Sequence, residues 1–260
     1  IQPDGKLLGI EWDGELFRQL ESKFKNQELG KNLTLVNDSY VNLKNIAGEK
    51  GFLEADGILF DLGMSSWHLD QSGRGFSFQR DEVLDMRFNN ETEFSALEIV
   101  NTFSEDDLRR IISEYGEERF AESIAKNIVE ARKNKIIKTT LELVEVVKNS
   151  VPNWYTNKRI NPATKTFQAL RIAVNDELNQ LAKSLPLWLE LLASGARLAV
   201  ISFHSLEDRL VKQAVQAASG DRYDAELKLL TKKPITASHD ELVFNPRARN
   251  SACREGRRQA

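Results

Sequence analysis

The apolar stretch Gly57-Ile-Leu-Phe60 ends on Asp61 and breaks at once into Leu62-Gly-Met-Ser-Ser66. A carboxylate closing a buried strand is costly unless water, a hydrogen-bond donor or a ligand meets it. Asp61, with the hydroxyls of Ser65 and Ser66 just behind it in the chain, is therefore a candidate for holding a reacting group. The plain alternative is that Asp61 caps the next turn through backbone amides. Glu11 closes an earlier apolar run, Lys6 to Ile10. A carboxylate so placed can accept from both hydroxyls of a ribose, or it can be a surface acid after a strand. His204 follows the run Arg197 to Phe203, where it can handle a proton or serve the turn.

These groups need elements to hold them. Lys6 to Ile10, Leu33 to Val36 and Gly57 to Phe60 are short apolar runs that end on Glu11, Asn37-Asp38 and Asp61. The first two flank a helical pattern, with Leu16, Leu20 and Phe24 recurring every four residues. That is the signature of parallel βα units in an open sheet, whose ligands lie at the carboxyl ends of the strands. The next strand, Arg197 to Phe203, comes more than a hundred residues later, far beyond what a βα crossover needs. Between them the periodicity is helical: Leu108, Ile111, Tyr115; Phe120, Ile124, Ile128; Leu141, Val144, Val147. The spacing predicts a helical domain inserted into a sheet domain, with a return helix through Leu178, Leu181, Leu185 and Leu189. Gly195 is expected to stop that helix. Ser205 and Asp208 have capping-box spacing, which starts a helix at Leu206. Leu227 to Leu230 and Ser251 to Arg254 are weak strand candidates for an edge hairpin.

Composition sets outer bounds. The chain has 260 residues, 41% hydrophobic, with net charge -3, enough for one large core or two modest ones. No apolar run is long enough to span a membrane and no stretch looks like a signal peptide, which favours the cytoplasm and no membrane partner. Cys253 is the sole cysteine, and the three histidines, His68, His204 and His239, are scattered. No disulfide, and no metal site, is expected. The first residue is Ile1, so sequence upstream of it is expected. Two segments are basic: Lys158, Arg159, Lys165 and Arg171, and the tail with Arg247 and Arg249. They suit an RNA backbone. A homodimer is left open.

Several motifs keep order and spacing over nearly the whole chain: DGILFDLGMSS (Asp56 to Ser66), RGFSF (Arg74 to Phe78), LDMRF (Leu84 to Phe88), YGEERFA (Tyr115 to Ala121), NPATKTFQALRIAVNDEL (Asn161 to Leu178), ISFHSLEDRLVK (Ile201 to Lys212) and NPRAR (Asn245 to Arg249). Together they resemble the bacterial 16S ribosomal RNA cytosine-N4 methyltransferase family. The resemblance implies an α/β fold, a class I (Rossmann-like) methyltransferase sheet domain over residues 1–66 and 174–260, with an inserted helical substrate-recognition domain over 67–173. It implies S-adenosyl-L-methionine as the methyl donor. As acceptor it implies a decoding-region cytosine of 16S ribosomal RNA, free or in the small ribosomal subunit. Donor-binding roles fall on Glu11 (ribose), Tyr40 (adenine pocket), Asp61 and His68. The family commonly has Pro-Gln where this chain has Trp67-His68. The family's first strand and glycine-rich, histidine-containing loop have no counterpart in the sequence.

The chemistry agrees with the residues taken on their own. Methylation at cytosine C5 needs a cysteine nucleophile, and Cys253 has no base near it in sequence. Methylation at N4 needs no covalent intermediate. It needs an acceptor that binds the exocyclic amine and holds it in line with the methyl, for which Asp61 with Ser65 or Ser66 is the candidate. Trp67, Phe76 and Phe78 are either stacking platforms for a flipped base or ordinary packing. Two other readings are carried: a non-catalytic RNA-binding or ribosome-assembly factor, and a dinucleotide-dependent oxidoreductase, which lacks a pyrophosphate loop.

Overall fold

The structure is a computed structural model that describes residues 4–25, 27–158, 160–220 and 225–259. It divides into two compact units: residues 1–63 with 178–260, and residues 64–177.

The first unit carries every strand in the described residues except isolated bridges. β1 (Leu7–Glu11) and β2 (Leu33–Asn37) pair in parallel from Leu7↔Leu33 to Glu11↔Asn37. Asp13 folds the intervening helix, Gly14–Phe24, by accepting the Glu15 and Leu16 amides, so the chain turns immediately after Glu11. β3 (Ala55–Asp61) pairs in parallel with β4 (Leu192–Ser202), placing Asp61 beside Ile201. The remaining strands are β5 (Leu227–Leu229), β6 (Ile235–Thr236) and β7 (Ala252–Arg258). The second sheet runs β3-β4-β7-β5, with β6 also on β7. Among the described residues no ladder joins β1 to β3, although Leu8 and Ile10 of β1 and Ile58 of β3 pack against one common apolar cluster. Its centre is Trp188, fully buried and stacked on Phe60 with ring centroids 3.7 Å apart.

The expected edge hairpin forms at one end of the sheet, and two other expectations are corrected here. β5 is outermost and antiparallel to β7, and β7 also pairs with β4. Its sequence, ACREGRR, is too polar to read as an inner strand, but Arg254 makes a double hydrogen bond to Asp208 and Arg258 pairs with Glu226, so the charges are met locally. The return helix Glu177–Leu191 stops before Gly195, which instead has φ +80° within β4, where the pairing with β3 slips. The helix after β4 is Ser205–Ala217, and its cap is His204, whose Nδ1 accepts the Glu207 amide while the Glu207 carboxylate accepts the Phe203 amide. The capping frame thus sits one residue earlier than Ser205–Asp208.

The second unit is helical, built on Ala96–Thr102, Glu105–Gly116, Ala121–Asn134, Thr140–Asn149 and Thr164–Asn175 around the buried Leu108, Ile112, Ile124, Ile128, Leu143 and Leu170. Of the periodic apolar positions read from the sequence, Leu108, Ile111, Ile124, Ile128, Val144 and Val147 are buried, Tyr115 and Phe120 are partly covered, and Leu141 is exposed, with Leu143 turned inward instead. Gly116 permits a close helix approach, since a Cβ there would lie 2.7 Å from the Lys165 carbonyl oxygen. Among the described residues no helix is long and apolar enough to cross a membrane.

Candidate active site

The carboxyl ends of the parallel strands carry Glu11, Asn37 and Asp61, all in the sheet unit. Asn37 donates to the Glu11 and Trp12 carbonyls, which locks the two strand ends together. Glu11 Oε1 accepts the Asp13 amide at 2.8 Å, so the carboxylate is held in a fixed orientation. Asp38 accepts from the Ser39 amide and the Asn42 side chain. This turn leads into the short helix Tyr40–Asn42. The half-buried Tyr40 ring meets Phe60 edge to face at 5.9 Å, one residue before Asp61. The structure thus brings Tyr40 and the end of β3 together.

Asp61 is open to water, yet protein atoms crowd one side of its carboxyl. That partial dehydration, and then the charge of Glu207, raises its pKa above the ordinary carboxylate value. Glu207 is buried, with one oxygen on the Phe203 amide and the other 3.1 Å from His204 Nε2. The sequence reading missed Glu207 as a neighbour of Asp61. Its signal was present in the spacing His204-x-x-Glu207, overshadowed by the Ser205-x-x-Asp208 frame. The arrangement is an acid pair, with the exposed Asp61 at the end of β3 and the buried Glu207 in the first turn of the helix after β4. It can accept a proton or meet a cation.

Ser65, Ser66 and His68 belong to the helical unit. Ser65 and Ser66 are exposed at the start of the short helix Ser66–Asp70. His68 Nδ1 accepts the Ser65 amide at 3.1 Å and lies 3.0 Å from Ser65 Oγ, so this hydroxyl and imidazole fasten the helix start. The His68 ring is buried against Trp67, Phe76 and Phe88. Phe76 stacks on Phe88 and Phe78 meets Phe167 edge-on. Of the two readings carried for Trp67, Phe76 and Phe78, the structure shows packing within this unit. The LDMRF loop is likewise held from inside: Asn175, 1% exposed, accepts the Phe88 amide and donates to the Met86 carbonyl.

The basic residues divide. Lys158 and Lys165 are exposed in the helical unit, and Arg247 and Arg249 are exposed on the turn Pro246–Asn250 of the sheet unit. Arg159 lies outside the described residues. Arg171 is buried and makes a double hydrogen bond to the equally buried Glu177, at 2.8 and 3.0 Å. Its place in a basic surface segment is corrected accordingly: the apolar face of helix Thr164–Asn175 carries it inward, where a guanidinium requires a carboxylate. Arg171→Ala should remove the guanidinium that balances the buried Glu177 carboxylate. Thermal melts should show a loss of about 3–5 kcal/mol, partly recovered when Glu177→Gln is added.

Cys253 lies in β7 opposite Ile201, and burial, then Glu255, pushes its thiol pKa up. It is poorly suited to be a thiolate nucleophile.

Comparison with known proteins follows the same lines. The chain is 45% identical over 264 residues to the ribosomal RNA small subunit methyltransferase H of Citrifermentans bemidjiense, an alignment that spans 97% of this chain and 84% of that protein. Proteins of the same name from Geobacter sp. strain M21 and Syntrophus aciditrophicus are 45% and 40% identical, with 97% and 98% of this chain and 84% of each relative covered. The profile of the MraW methylase family matches residues 1–258. The open α/β sheet, the acids at its carboxyl edge and this end-to-end match agree: the chain belongs to the MraW methylase family, with its class I, Rossmann-like methyltransferase fold.

Proposed function

We propose that this chain is a cytoplasmic S-adenosyl-L-methionine-dependent methyltransferase that modifies the N4 amine of a cytosine in the decoding region of 16S ribosomal RNA. The names of its relatives support methyl transfer to small-subunit ribosomal RNA. The observation that carries the site is Asp61: a water-accessible carboxyl at a parallel strand end, with a raised pKa. In this reading the sheet unit binds the donor and the helical unit recognises RNA.

The residues at the strand ends fit the nucleoside end of the donor. Glu11, preset by the Asp13 amide, would accept from the ribose hydroxyls, and the Tyr40 ring would flank the adenine. His68 and the exposed Ser65 and Ser66 remain proposals for further polar contacts. When bound, the donor would supply an electrophilic methyl group on a positively charged sulfur. Asp61 would accept a hydrogen bond from the cytosine amine, whose lone pair is delocalised into the ring, and take the proton that nitrogen loses on methylation. A raised pKa suits that task, because a stronger base captures the proton more readily. The raised thiol pKa of Cys253 speaks against C5 chemistry.

The reading is tested by calorimetry with S-adenosyl-L-methionine, and by methyl transfer to small-subunit RNA and particles, on this chain and on one extended at its N-terminus. Binding and N4-methylcytosine in the RNA support it; neither, in the extended form, ends it. A non-catalytic RNA-binding factor is the second reading, favoured by the exposed cations Lys158, Lys165, Arg247 and Arg249, which suit RNA whether or not a donor binds. RNA binding without donor binding selects it. On either reading Arg247→Ala should weaken RNA binding and reduce its salt dependence, by about one unit or less in the log–log slope; an unchanged slope removes this arginine from the interface.

A further inference from the structure

The helical unit has one surface on which aromatic rings and cations converge. Phe120, Trp154 and Tyr155 stand with ring centroids 4.9 to 6.0 Å apart. The Arg119 guanidinium lies 4.4 Å from the Trp154 ring, 4.7 Å from Phe120 and 5.5 Å from Tyr155. Lys158 Nζ lies 5.2 Å from Trp154 and 5.0 Å from Tyr155.

The support beneath is rigid. Glu118 is buried and uses one oxygen on the Phe120 amide and the other on the Tyr155 hydroxyl, at 3.0 and 2.6 Å. Burial, then that hydrogen bond, pushes the Tyr155 pKa up to about 12, so the phenol stays a neutral donor. Above this base Trp154 is 52% exposed, and Arg119 and Lys158 are exposed as well. Among the described residues the side-chain contacts of both cations are to these rings. Lys165, held on the Glu117 carbonyl, adds a third positive charge from the adjoining helix.

One exposed ring alone would be ordinary surface. Two like charges gathered at one exposed indole are instead complementary to a polyanion with flat groups between its charges. We propose that Trp154, Arg119 and Lys158 hold an unpaired stretch of the substrate RNA, with a base stacked on the indole or guanidinium plane and phosphates on the cations. Stacking on aromatics and arginine is how unpaired RNA is commonly gripped. The proposal rests on the reading that this chain acts on RNA, and it assigns that contact to the helical unit.

The test is fluorescence anisotropy of labelled, unstructured oligocytidine and oligouridine of roughly 12 nucleotides, titrated with the full chain at several salt concentrations. Trp154→Ala should weaken binding about 5- to 100-fold with its salt slope unchanged. Trp154→Phe should retain most of the affinity, and Arg119→Ala should lower the salt slope by about 0.7. Melting curves and donor calorimetry control for folding and for the sheet unit. Parent-like RNA binding by Trp154→Ala overturns this surface alone. No RNA binding by the parent overturns the RNA reading with it. A change in sedimentation without a change in RNA affinity gives the surface to a second copy of the chain, and that too overturns the proposal.

Discussion

Asp61→Asn is expected to lower methyl transfer about 10³-fold while leaving the protein as well folded as the parent. Asparagine keeps the shape and an acceptor oxygen but cannot take the proton or meet a cation with charge. The structural side is as definite. A carboxyl whose folded pKa is raised contributes its stability below the unfolded value and loses it as pH rises through the folded value. Both causes here, dehydration and Glu207, act that way. Asp61→Asn should therefore melt no lower than the parent at neutral pH, and any margin should shrink as pH falls through the raised value toward the ordinary carboxylate value. Melting curves from about pH 3 to 8, a span that starts below the ordinary carboxylate value, beside single-turnover transfer assays, decide the matter. A marked loss of Tm at neutral pH would mean that Asp61 holds the turn after β3 instead.

The second large effect concerns what holds Asp61 in place. Trp188 on the return helix is fully buried and stacks on Phe60, the residue before it, with an interplanar angle of 19°. Trp188→Ala removes the largest side chain of the sheet core and leaves a cavity under β3, so a loss of about 3–5 kcal/mol is expected in denaturant titrations. The indole N–H is buried with no hydrogen-bond partner, and such a group carries a desolvation cost of about 1–3 kcal/mol. Trp188→Phe keeps the stacking and removes that donor, so its net loss should be far smaller, under about 1.5 kcal/mol. Equal losses for the two variants would show that volume alone matters at this position.

How far these features could be read beforehand depended on whether one local pattern governed them. Strands ending on Glu11, Asn37 and Asp61 were legible because apolar runs stop where backbone leaves the core. Helices such as Ala121–Asn134 were legible because burial repeats every three to four residues. β7 was only weakly legible because partners distant in sequence, Asp208 and Glu226, neutralise its arginines. Arg171 was misplaced because a basic segment and a buried ion pair have the same composition, and only Glu177 on its inner side tells them apart. His204 and Glu207 show how two overlapping cap frames cannot be ranked until the strand's last residue is known. The exposed Trp154 platform required knowing which aromatics the core had already taken.

The placement of Cys253 has a bearing on how the protein is handled. It is the sole cysteine of the sequence, partly covered within β7, and its raised thiol pKa keeps it protonated near neutrality. Alkylating reagents should therefore label the chain slowly at neutral pH and faster as pH rises.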